Sequence, residues 1–89
     1  MVISDSFKLL GVVTGNVTVV DGGEFILNGT IGGDLIIQGG YARVDGTVGG
    51  NVINQGGKLE IYGKVAGFVR MESGKTDIDP DAVIEKGIS

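Results

Sequence analysis

The sequence predicts an all-β fold, a three-sided parallel β-solenoid, on three observations. A 17-residue unit recurs along the chain, apolar residues step by two within each unit, and glycines hold fixed places between the apolar clusters. Residues 29–45, GTIGGDLIIQGGYARVD, are followed at once by 46–62, GTVGGNVINQGGKLEIY; eight of the 17 positions are identical. Ile31/Val48, Asp34/Asn51, Leu35/Val52 and Val44/Ile61 are conservative exchanges. A looser copy, GVVTGNVTVVDGGEFILN, precedes them at 11–28, with one extra residue around Asp21-Gly22-Gly23. Another, GKVAGFVRMESGKTDID, follows at 63–79, where Ser73-Gly74 replaces the glycine pair.

Taken in order, residues 1–10 form a lead-in that either leads into the first coil or folds over one side of it. The coils are 11–28, 29–45, 46–62 and 63–79, and 80–89 form a short capping segment, all within a single domain 1–89. Counting each initial glycine as zero, apolar residues fall mainly at offsets 2, 6, 8, 13 and 15, displaced by one at the end of the first copy. A step of two buries one face of a strand, so each coil should hold three short strands. Stacked about 4.8 Å apart, equivalent residues meet in columns: Val13/Ile31/Val48/Val65 on the first face; Val17/Leu35/Val52/Val69 and Val19/Ile37/Asn54/Met71 on the second; Phe25/Ala42/Leu59/Thr76 and Leu27/Val44/Ile61/Ile78 on the third. One coil cannot enclose these side chains alone, whereas a stack makes a continuous core. Asn54 breaks its column and needs hydrogen-bond partners inside the molecule or water, or a local shift of register. Thr76 is expected to pack its methyl and bond backbone with its hydroxyl. Beyond Ile78, Asp79-Pro80 opens the cap, and AVIEKG is either a short helix or a broken fifth coil.

The glycines read as corners, where the chain turns within one or two residues beneath the next coil. A phosphate loop would need a strand before it and a helix after it, which the repeat does not supply. SGKT at 73–76 lacks the upstream glycine of a nucleotide-binding loop, since Val69 stands there. DIDPD at 77–81 spaces three carboxylates as a calcium loop does, but Ala82 and Ile88 occupy the places of the required Gly and Glu. Histidine and cysteine are both absent, removing the commonest general base, the commonest metal ligand and any thiolate site. The chain is therefore expected to be no enzyme, with no catalytic residue, cofactor, metal or small-molecule substrate.

Eleven acidic residues against seven basic ones give a net charge of −4, which argues against nucleic acid as a partner. No basic segment leads into an apolar run at the start, and no stretch reaches membrane-spanning length. A cytoplasmic location is expected. The third face presents an ordinary solvated surface with ladder pairs such as Arg43–Glu60. On the second face the outward column runs Thr18, Ile36, Ile53, Arg70, with Val20 and Phe68 near its ends. Val20, Ile36, Ile53 and Phe68 are the candidate protein interface.

The recurring GTVGGNV…GGKLEIYG pattern, over residues 11–79, resembles the bactofilins, bacterial polymer-forming cytoskeletal proteins. That resemblance implies a right-handed, three-sided solenoid that associates end to end into filaments without nucleotide and acts as a scaffold, often near the membrane. The expected partner is a second copy, meeting the first through solenoid ends, chiefly the N-terminal one, or through the lateral apolar face. The alternative is a compact acidic protein that binds one protein partner, such as the immunity protein of a bacterial toxin.

Overall fold

The computed structural model describes residues 1–88; Ser89, the last residue of the expected cap, lies outside them. Every strand pairs in parallel, as the repeat requires. The first face stacks β3 (Val12–Val13), β6 (Thr30–Ile31), β9 (Thr47–Val48), β11 (Lys64–Val65) and β13 (Val83–Ile84) into a five-stranded sheet. The second face stacks β1 (Val2–Ile3), β4 (Val17–Val19), β7 (Leu35–Ile37), the start of β10 (Val52–Ile61) and the start of β12 (Val69–Ile78). The third stacks β2 (Ser6–Leu9), β5 (Glu24–Leu27), β8 (Tyr41–Val44) and the ends of β10 and β12.

All five predicted columns appear as register partners. Ile31 lies between Val13 and Val48, Leu35 between Val17 and Val52, and Ala42 between Phe25 and Leu59. Val17, Leu35, Val52 and Val69 are fully buried, as are Ile31, Val48 and Val65. The same hydrogen bonds recur from coil to coil: the amides of Thr30, Thr47, Lys64 and Val83 donate to the carbonyls of Gly11, Gly29, Gly46 and Gly63, each at 3.0 Å.

The stack is deeper than the four-coil repeat because both flanking segments join it. Residues 1–10 do not cover a side face. Val2 and Ile3 pair with Thr18 and Val19, Phe7 and Leu9 pair with Phe25 and Leu27, and the Phe7 ring stacks on Phe25 at 6.2 Å between centroids. At the other end no helix forms among the described residues. Pro80 sits in a turn closed by the Ala82 amide on the Asp79 carbonyl, after which Val83–Ile84 pairs with Lys64–Val65 as a broken fifth coil. Ile88 bridges to Val69. The first-face sheet is thus displaced by one layer towards the C-terminal end: β3 lies in the layer after β1 and β2, and β13 in the layer after β12.

At three successive corners between the first and second faces, one side chain reaches up to the next coil. Asn16 Oδ1 accepts from the Asp34 amide at 2.8 Å, Asp34 Oδ1 from the Asn51 amide at 2.8 Å, and Asn51 Oδ1 from the Phe68 amide at 3.0 Å. This ladder explains the glycine before each upper residue: a β-carbon on Gly50 would overlap both Asp34 Oδ1 and the Gly33 carbonyl oxygen.

Asn54 is fully buried and holds the next corner. Its Oδ1 accepts from the amides of Gly56 and Gly57 at 3.2 and 3.0 Å, and its Nδ2 donates to the Gly57 and Lys75 carbonyls and to Thr76 Oγ1 at 2.9–3.0 Å. Thr76 therefore finds a side-chain partner, where a backbone one was expected. The two expected strands on either side of this corner run on as the single ten-residue strand β10. Restoring the apolar column with Asn54→Leu should cost about 2–3 kcal/mol, because several corner groups lose their partners together; chemical denaturation would measure it. Leu35→Asp should cost several kcal/mol by burying an unpaired carboxylate and abolish the folded circular-dichroism signal.

Candidate interaction surfaces

The second face brings the four candidate residues onto one surface. Ile36 and Ile53 are register partners on adjacent strands, while Val20 follows β4 at one margin and Phe68 precedes β12 at the other. They form a diagonal across the face, and all four are half-buried. The outward column also gains Val2, paired with Thr18.

The third face is more ordered than a generic solvated surface. Arg43 and Glu60 are register partners as expected, yet they do not form the ladder ion pair. Arg43 instead reaches Asp45, just past the end of its own strand, at 3.1 Å and lies over the Tyr62 ring, 4.7 Å from its centroid. Glu60 accepts a 2.5 Å hydrogen bond from the Tyr41 hydroxyl and lies 3.8 Å from Lys58, whose ammonium stands 6.0 Å from the Tyr41 ring. The pairing switches because outward side chains on one face of a strand are two residues apart, within reach of one another, and each aromatic ring draws a cation over its face. Burial, then the bond to Glu60, pushes the Tyr41 phenol up from 10.0 to about 12.

Strongly exposed apolar side chains lie elsewhere, in places that sequence offsets alone did not single out. Among the described residues, Met1, Val2, Phe7, Leu10 and Val12 belong to the N-terminal end layers and Met71, Val83 and Ile88 to the C-terminal ones, leaving Tyr62 on a side face. An open hollow of about 250 Å³, formed by residues 1–7, marks the N-terminal end. Among the described residues, the C-terminal end is covered only over the first face and at Val69, and from Arg70 to Ile78 the outer edge of β12 carries no further strand. Both ends thus expose strand edges, where sequence analysis favoured the N-terminal one. Unpaired edges with apolar neighbours are sites for adding another strand.

Among the described residues no group of three or more Asp or Glu side chains is placed to hold a metal ion, and no helix is long and apolar enough to cross a membrane. Because the folded state holds Tyr41 above its ordinary value, the Tyr41–Glu60 contribution to stability is present at neutral pH and is lost as pH rises through about 12. In a Tyr62→Phe background, phenolate absorbance should appear with a midpoint near 12, and Glu60→Ala should lower that midpoint; a midpoint near 10 contradicts the assignment. In comparison with known proteins, no family model, no curated protein and no solved structure matches this chain.

Proposed function

We propose that this chain is a non-enzymatic, cytoplasmic scaffold module that self-associates through the ends of its solenoid. The observation that carries this reading is the placement of exposed apolar surface: apart from Tyr62, the strongly exposed large apolar side chains among the described residues sit in the end layers, beside open strand edges. Adding a copy to an edge extends backbone hydrogen bonding and covers the exposed side chains of the inward columns there, Phe7 and Met71, in one step. The sequence resemblance to the bactofilins supports the same reading, since those proteins polymerise end to end. A lateral contact through Ile36 and Ile53, or capture of a basic partner by an acidic inhibitor, would draw on the half-buried second-face patch, which offers less exposed apolar surface.

Light scattering coupled to size-exclusion chromatography should give a mass that rises with concentration, and electron microscopy should show elongated assemblies. Ile36→Lys and Ile53→Lys should leave both the fold and the mass distribution unchanged. A strict monomer at high concentration defeats the proposal, and loss of assembly in the two lysine variants moves the contact to the second face.

A further inference from the structure

The two ends of the solenoid differ in shape and in charge, and the differences are complementary. We propose that copies of this chain join head to tail, the N-terminal layer of one on the C-terminal layer of the next, giving an assembly with a single polarity. This rests on the end-to-end reading above and adds which end meets which.

The first reason is the one-layer displacement of the first-face sheet. At the C-terminal end β13 stands one layer, about 4.8 Å, proud of β12; at the N-terminal end β3 is recessed by the same amount behind β1 and β2. The projection fills the recess only when unlike ends meet. Two C-terminal ends brought together with their first faces aligned would put β13 against β13 and hold the β12 edges about 14 Å apart, beyond hydrogen-bonding reach. Like ends also meet with their chains reversed, whereas every ladder in the molecule is parallel.

The second reason is register. Carried across a head-to-tail junction, the existing columns place Ile3 of the incoming copy over Met71, Phe7 over Thr76 and Leu9 over Ile78. Met71 is 45% exposed and Phe7 39%, and each would be covered by the other copy's layer. Among the described residues, only over Val69 do two residues, Ile88 and the incoming Met1, claim one place, and there the Gly87 carbonyl, which accepts from the Val69 amide at 3.1 Å, gives way to the incoming chain.

The third reason is charge. The outward third-face column runs Lys8, Ile26, Arg43, Glu60, Asp77, a cation at one end and an anion at the other. Among the described residues neither Lys8 nor Asp77 has an ion-pair partner. A head-to-tail junction sets Lys8 directly over Asp77, where opposite charges favour pairing and like charges oppose it.

The test blocks one end at a time. Phe7→Lys places a charge in the N-terminal layer and Met71→Lys in the C-terminal layer, both at exposed positions; circular dichroism checks that each folds. Head-to-tail assembly predicts that each variant alone is monomeric and that an equimolar mixture forms a heterodimer through the one intact pair of ends. If either variant alone dimerises through its free end, or if blocking either end changes nothing, the polarity is wrong while end or side association survives; a wild-type chain that stays monomeric overturns both readings. Independently of those two variants, Lys8→Asp and Asp77→Lys should each weaken wild-type association about five- to tenfold, and the double exchange should restore it. No restoration overturns the junction.

Discussion

The interaction on which the molecule depends is the backbone hydrogen bond between equivalent residues of neighbouring coils. The Tyr41 amide donates to the Gly23 carbonyl at 3.0 Å and the Lys58 amide to the Gly40 carbonyl at 3.0 Å, one coil apart each time. Each such bond contributes about 1 kcal/mol net, but their spacing does more than their sum. Fixing the coils one strand separation apart sets equivalent side chains in contact, and that contact makes the core. A chain of 89 residues has little interior for its surface, so stacking identical layers is how it keeps Leu35, Val52, Ile61 and Phe25 fully dry.

Close stacking then dictates the corners. Where the Asp34 carboxylate reaches up to the Asn51 amide, the residue before Asn51 has no room for a side chain, and Gly50 follows. Gly40 is required for a different reason, a φ of +72° at the bend into the third face. Asn54 shows how the same corner is built otherwise: its amide group satisfies the backbone of Gly56 and Gly57 from inside, and neither glycine takes a positive φ. A buried polar residue is tolerated there because its partners are all present.

The parallel coils, the five columns and the inward residues were legible in the sequence because strand alternation and the repeat are both periodic signals. What was not legible is aperiodic. Residues 1–10 and 80–88 carry no recognisable copy of the 17-residue unit, yet they pair as outer layers, since an open edge accepts any short extended segment with a few apolar side chains such as Ile3, Leu9 and Ile84. The corner ladder had a signal, the succession Asn16, Asp34, Asn51 at one offset, but residue type alone did not say that the side chains bond upward. The third-face pairing turned on rotamers: register correctly opposed Arg43 to Glu60, and Asp45 and Tyr41 then took them as partners. Of the candidate interface, Val20, Ile36, Ile53 and Phe68 were legible as residues of one face, but not their half-burial, which depends on how closely neighbouring coils pack around them.

The proposed self-association follows from the same stacking. A solenoid ends only where its layers stop, and each terminal layer leaves edges and apolar side chains that another layer would satisfy. The central claim is therefore the coil-to-coil register itself. Scalar couplings across hydrogen bonds, read by NMR, test it directly: the account predicts couplings from the amides of Thr47 and Lys64 to the carbonyl carbons of Gly29 and Gly46. Couplings that instead trace antiparallel hairpins, or that link these amides to other residues, would contradict it.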